Sequence, residues 1–409
     1  MKFLFVHQNF PGQYVHIARH LGLQGKHQVV FLTQRKDAAL SGVQKLIYKP
    51  GRKVDHRVHH YLQETEANIL NAQQVARAAI SLKQAGFVPD VMVGHNGWGE
   101  IWYLKTVFQD TPLIGYFEFF YQFQGADVGF DPQESLIPDT EPRIRTKNIG
   151  NLLGLDAVDL GQCPTQWQRS LYPPRYHPLL RVVHEGIDTA TVSPNPEARV
   201  RLPDGTMLNA DDEIVTYVTR NLEPYRGFPI FMRSLPAILD KRPKARVVII
   251  GGDNTSYGPS LPDGKTFREQ LLQELGDSLD HSRIHFMGKV PYPVYLQVLQ
   301  ISRAHVYLTY PFVLSWSMLE AMSVGCLLIG SRTPPVEEVI QHLENGLLVN
   351  FFSPAEIADT VIAALEHPEI FTRIRRNARQ TIIERYDLER ICLPAQLALL
   401  EEAMGRPIR

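Results

Sequence analysis

A single carboxylate, Glu320, stands in an apolar run between Met318, Leu319, Ala321 and Met322. A charge in that setting needs a hydrogen-bonding partner, and a ribose diol, which donates twice, is a good one. The plainer alternative is a helix whose one exposed residue is a glutamate. Just upstream, Ser315, Trp316 and Ser317 open a helical pattern. Unpaired backbone N–H groups and the positive dipole end at such a start favour an anionic ligand. Arg220 and Arg226 in TRNLEPYRGF follow a strand pattern, where two guanidiniums can clamp a diphosphate bidentately. Gly251 and Gly252 in IIGGDNTSYG form a turn where the backbone can lie against a nucleotide base or phosphate.

In the first half of the chain, PDVMVG delivers His95, Asn96 and Gly97 at a strand's carboxyl end. Open α/β sheets bind ligands there, so His95 is a candidate for chemistry, with a capping turn as the alternative. Glu118 follows the next strand in an aromatic-rich loop, EFFYQFQ, that can stack on a sugar ring or pack an interface. Gly12, in HQNFPGQ after the first strand, would let a ligand approach the backbone, although the dinucleotide glycine spacing is missing. The cluster His56, His59 and His60 lies beside cationic side chains without a carboxylate cage, which reads as a solvated or acceptor-facing loop and not a metal site.

These residues hang on an alternation of short apolar runs and amphipathic stretches. Strand patterns fall at KFLFV, 28–32, 45–48, 89–94, 112–116, 160–163 and 181–183. They recur at 214–219, 246–250, 284–287, 304–308, 327–329 and 346–349. A long helix is expected from Tyr61 to about Ala85, then a loop up to about Arg145, and helices from Lys147 and Thr165. The last helices are expected over 369–386 and 388–404. Strands separated by helices mean parallel sheets covered on both faces, so the fold class is α/β with doubly wound sheets. Gly186, Pro194 and Pro196 punctuate a linker, and the boundary between two units is expected at about 190 to 212.

Composition agrees with two soluble domains: 409 residues, 44% hydrophobic and 21% charged. A formal net charge of -1 gives no electrostatic argument for nucleic acid. Cys163, Cys326 and Cys392 are far apart and read as buried thiols in a reducing compartment. The apolar start stops at His7, too short for a signal peptide, and no run reaches the ~18 apolar residues a membrane span needs. A cytoplasmic protein is expected, with any membrane contact peripheral at the inner face.

The motifs PGQ, HNGW, HEGID, TRNLEPYRG and SMLEAMSVGCLLIG, spread over nearly the whole chain, resemble the retaining GT-B glycosyltransferases of family 4. The resemblance implies two Rossmann-like domains facing across a cleft. Residues 1–190 would form the acceptor-binding domain, joined by a C-terminal helix at about 387–409 that returns to it. Residues 191–386 would form the nucleotide-sugar domain. It further implies that Arg220 and Arg226 hold the donor diphosphate, with Arg226 replacing the family's Lys, and that Glu320 holds the ribose. The family's first glutamate, separated from the second by seven intervening residues, touches the donor sugar; here Phe312 stands in its place, and Val313, Leu314 and Ser315 replace the family's Gly-Phe-Gly. Glu118, Phe312 and Leu314 are therefore the expected contacts of the donor sugar.

The implied reaction is transfer of a sugar from a nucleotide-diphosphate sugar to an acceptor hydroxyl with retention. The acceptor is an unidentified glycan, lipid-linked or small molecule in bacterial glycan or glycoconjugate biosynthesis. No metal or further cofactor is expected, because Arg220, Arg226 and the helix start at Ser315 would stabilise the departing diphosphate. The alternatives are a nucleotide-sugar epimerase of the same fold and a non-catalytic sugar-nucleotide-binding protein.

Overall fold

In the computed structural model, which describes residues 1–408, the strand Lys2–Val6 (β1) is almost wholly buried, as KFLFV requires when both faces are covered. Alternate side chains serve two cores. Leu4 and Val6 join Val30, Leu32 and Met92 on one face, while Phe3 and Phe5 join Val29, Phe31, Val91 and Val93 on the other. The partners are parallel: Phe3 is in register with Val29 of β2 (Gln28–Thr33) and with Val91 of β4 (Val91–His95). With β3 (Val43–Ile47), β5 (Leu113–Tyr116), β6 (Leu160–Cys163) and β7 (Leu180–Val182), they form a seven-stranded sheet in the order β3-β2-β1-β4-β5-β6-β7. The strand order reverses between β1 and β4, which makes their carboxyl ends the place for a ligand.

This sheet belongs to a compact unit made of Met1–Gly186 and the segment from Leu388 onward. The last helix, Leu393–Met404, returns to it, placing Leu393, Leu399 and Leu400 in the core with Phe5 and Ile17. Its Gln396 side chain donates to the Glu185 carbonyl at 3.0 Å.

The second unit, Ile187–Asp387, is built on a six-stranded parallel sheet in the order β12-β11-β10-β13-β14-β15. Its strands are β10 (Ile214–Asn221), β11 (Arg246–Gly252), β12 (Ile284–Gly288), β13 (Ala304–Tyr307), β14 (Leu328–Ser331) and β15 (Leu347–Val349). Here the order reverses between β10 and β13. Both sheets are parallel throughout, as the strand-helix alternation predicts.

Two elements depart from expectation. The stretch read as a linker carries an antiparallel hairpin, β8 (Arg199–Arg201) with β9 (Met207–Asn209). Val200, Leu202 and Leu208 bury one side of it in the second core. The loop expected up to Arg145 contains a helix, Thr140–Lys147, whose sequence TEPRIRTK buries only Thr140 and Ile144 and so shows no apolar stripe. Among the described residues no helix is long and apolar enough to cross a membrane.

Candidate active site

In the second unit the chain leaves β10 through the exposed Arg220 and turns in a short 3-10 segment, Pro224–Arg226, before the helix Phe228–Lys241. Gly227 makes the junction at φ 70°. A Cβ there would stand 2.4 Å from the Leu308 Cβ, so only glycine lets the turn sit against β13. That turn drives Arg226 inward, leaving it 8% exposed. Its Nη1 donates to the Thr309 hydroxyl at 2.8 Å and the Val313 carbonyl at 2.9 Å. The guanidinium also lies 5.4 Å from the centre of the Tyr257 ring. Burial alone would lower its pKa, but the phenols of Tyr307 and Tyr257 and the carboxylate of Glu223 reverse the shift, and it stays charged. A guanidinium has five N–H donors in a fixed fork. Arg226 is thus a preorganised cation joining the segment after β10 to the loop after β13, at the strand-order switch.

Glu223 locks the neighbouring turn. Its carboxylate accepts from the backbone N–H groups of Ser256 and Tyr257 at 2.7 and 2.8 Å, and Asn221 donates to the Ser256 hydroxyl at 2.6 Å. Burial raises the Glu223 pKa, against those backbone hydrogen bonds. Gly251 and Gly252, expected in a turn, are instead the last residues of β11 and are less open than expected. A Cβ on Gly251 would meet Leu222 at 2.8 Å, and one on Gly252 would meet the Lys289 side chain at 2.6 Å. The exposed Lys289, which follows β12, was not singled out from sequence; its nearness to Gly252 arises only from strand order.

The helix Trp316–Ser323 begins where its sequence indicates. Ser315 is the N-cap, its side chain accepting from the Ser317 N–H, and its own N–H donates to the Tyr307 hydroxyl at 2.8 Å. Trp316 is exposed, whereas Leu314 and Ser317 are buried. Phe312 is only 6% exposed. Its ring packs edge-on against Tyr225 at 5.5 Å and Tyr257 at 4.8 Å between centroids, inside an aromatic cluster. Glu320 does have partners, from a helix that spacing does not connect to it. Tyr292 donates to one carboxylate oxygen at 2.6 Å and Tyr295 to the other at 2.5 Å. Burial raises the Glu320 pKa and the two phenols oppose that shift.

In the first unit the switch between β1 and β4 brings His7 and His95 together, their ring centroids 4.9 Å apart, with Trp98 within 5.0 Å of both. The His95 Nδ1 accepts from the Gly97 N–H at 2.9 Å. Its Nε2, with no hydrogen-bond partner, lies 3.8 Å from a Glu118 oxygen. Burial pushes the His7 pKa down to about 4, and pushes His95 well below its usual value. Both are therefore neutral imidazoles at physiological pH. The space over Gly12, expected to admit a ligand, is occupied by the His7 ring, whose carbon Cδ2 would lie 2.5 Å from an added Cβ. That glycine, at φ 53°, serves the packing of His7. His56, His59 and His60 lie on an exposed segment, and no group of three His, Cys, Asp or Glu among the described residues could hold a metal ion.

Comparison with known proteins accords with this arrangement. Residues 25–192 match the family described as Glycosyl transferase family 4 group, and residues 203–381 match Glycosyl transferases group 1. The chain is 29% identical over 201 residues to a D-inositol 3-phosphate glycosyltransferase of Corynebacterium efficiens, and 30% identical over 203 residues to that of Corynebacterium glutamicum. Those alignments cover 48% of this chain but only 44% and 45% of the relatives, so less than half of each relative's length is matched. Among solved structures, Anabaena HepE in complex with UDP and glucose superposes with a TM-score of 0.68 at 14% identity, covering 98% of this chain and 100% of that one. A sucrose-phosphate synthase of Thermosynechococcus elongatus gives 0.71 at 16% identity, covering 99% of both chains. At those identities the likeness is one of fold, the GT-B fold with its two Rossmann-like units. The chain therefore carries two glycosyltransferase family domains, a family 4 group domain followed by a group 1 domain.

Proposed function

We propose that the protein is a glycosyltransferase that takes a sugar from a nucleotide-diphosphate sugar and passes it to an acceptor hydroxyl with retention of anomeric configuration. The observation that carries this reading is Arg226: a buried, charged guanidinium at the switch point of the second sheet, tied to Thr309 and to Val313, two residues before the helix start at Ser315. Such a cation is placed for the charge that develops on a departing diphosphate, and a fixed donor costs no reorganisation when the bond breaks. Arg220 adds a second, exposed charge. With these cations the step needs no metal. The departing phosphate helps deprotonate the acceptor hydroxyl on the same face, so a protein nucleophile is not required.

Glu320 would hold the ribose. The neutral Nε2–H of His95 and the Glu118 carboxylate offer a donor and an acceptor to sugar hydroxyls. UDP is the first nucleotide to try, because HepE was solved with UDP and glucose. The acceptor is a glycan, lipid-linked or small molecule, and the reaction belongs to glycan or glycoconjugate assembly. The protein is placed in the cytoplasm, with any membrane contact peripheral.

One observation favours a second reading. Phe312, where the family has its sugar-contacting glutamate, is a buried ring, which suits a protein that binds a sugar nucleotide without turning it over. Incubation with a nucleotide-sugar panel, scoring nucleoside diphosphate release and product anomer, separates the two. Release with a retained anomer supports transfer. Binding without release supports the second reading.

A further inference from the structure

The helix Tyr292–Gln300 aims two phenols at one carboxylate. Each Glu320 oxygen accepts one of them, Tyr292 at 2.6 Å and Tyr295 at 2.5 Å, the short separations of hydrogen bonds to an ionised acceptor. The two tyrosines are not equivalent. Tyr295 packs against the core of its unit, while Tyr292 is 49% exposed. Tyr292 is also the first residue of its helix, between Pro291 and Pro293, whose rings fix the backbone there. Its hydroxyl can therefore leave Glu320 by side-chain rotation alone and pass into water at little cost. The Tyr295 hydroxyl has no such exit without breaking core packing.

A vicinal diol binds a carboxylate by donating once to each oxygen, and both Glu320 oxygens already accept a phenol. Adding two hydroxyls would crowd four donors around one carboxylate and use every lone pair it has. Releasing the exposed phenol relieves this. We propose that Tyr292 is a specificity-determining residue whose phenol competes with a ribose hydroxyl for Glu320, while Tyr295 stays bound and orients the carboxylate. The inference rests on the reading of Glu320 as the ribose anchor. Its consequence is that Tyr292 sets a threshold. A ligand donating two hydrogen bonds gains over the phenol it displaces, whereas one donating a single bond exchanges like for like.

The test is calorimetric binding of ADP, GDP, UDP and CDP, and of their 2′-deoxy counterparts, at pH 8. Wild type is compared with Tyr292→Phe, Tyr295→Phe, Glu320→Ala and the Tyr292→Phe/Glu320→Ala double variant, with thermal melts as a folding control. Removing the competing phenol should tighten the preferred ribonucleotide about 2- to 10-fold in Tyr292→Phe. The gain should vanish when Glu320 is Ala, and Tyr295→Phe should weaken binding instead. Neither result follows from a merely structural role for Tyr292. Unchanged or weaker binding in Tyr292→Phe overturns the proposal while leaving the ribose reading intact. Undiminished binding and ribose preference in Glu320→Ala overturns the ribose reading, and the competition with it. Absence of binding by every nucleotide overturns both.

Discussion

The Nε2 of His95 lies 3.8 Å from a carboxylate oxygen of Glu118, while its Nδ1 accepts the Gly97 N–H. The second contact places the ring proton on Nε2, and burial keeps the imidazole uncharged. His95 is thus a fixed donor beside an acceptor, suited to hold a hydroxyl between them and unsuited to carry a proton away as a titrating base. The pH profile of kcat/KM between pH 5.5 and 8 should show no step near 6.5 that His95→Gln removes. His95→Ala should lower kcat/KM by about 10²-fold, and His95→Gln, which restores an N–H donor, by less. A step at that pH abolished by the Gln variant would assign His95 a base role.

Arg220 and Arg226 separate by burial. Arg226→Ala removes a charge held by Thr309 and Val313 and leaves those groups unpaired. It should lower kcat/KM by at least about 10²-fold and also lower the melting temperature. Arg220 is exposed, so Arg220→Ala should reduce kcat/KM with the melting temperature unchanged. Equal losses of stability in the two variants would contradict the assignment of Arg226 as the preorganised member.

Phe312 packs on Tyr225 and on Tyr257, the same phenol that faces Arg226. An apolar ring cannot hydrogen-bond sugar hydroxyls, so the donor should be a deoxy or pentose sugar, less polar than glucose at the positions facing it. Paired donors, glucose against 6-deoxy or pentose nucleotide sugars, assayed with wild type and Phe312→Glu, test this. A wild-type preference for the fully hydroxylated hexose, unaltered in the variant, would show that Phe312 does not face the sugar.

Much of this fold is legible in the chain. Strands buried on both faces read as apolar runs, so β1 falls where KFLFV places it; β6 matches LGQC despite its polar Gln162, and β10 starts with IVTYVT but runs two residues further, to Asn221. The hairpin at β8 and β9 is hidden because RVR and MLN are too short to alternate visibly and bury only Val200 and Leu208 within the two strands. For the site, Glu320 and Ser315 announce themselves by an isolated charge and a capping residue. Tyr292, Tyr295, His7 and Lys289 do not. Their roles arise from elements that sheet order or helix packing brings together, and no local pattern encodes that proximity.

Glu100 gives a stability test independent of activity. It is fully buried, accepts from the Tyr48 hydroxyl, and burial raises its pKa from 4.5 to about 8. A carboxyl with a raised folded pKa is fully accommodated below pH 4.5 and costs progressively more as pH rises towards 8. Glu100→Gln lacks that ionisation. Its stability relative to wild type should therefore rise by about 1 kcal/mol per pH unit from pH 5 to 8 and then level off. Urea denaturation at pH 5, 7 and 9 measures it, and a difference independent of pH would mean that Glu100 is ionised in the folded protein.

Under the proposed function the second unit uses Arg226 to release a nucleoside diphosphate from a nucleotide sugar. Release of nucleoside diphosphate from a panel of sugar nucleotides, followed in EDTA for wild type and Arg226→Ala, tests it most directly. Release from at least one donor, with a retained anomer, unaffected by EDTA and lost in Arg226→Ala, is the predicted result. Release that proceeds equally well without Arg226, or none from any donor, would contradict it.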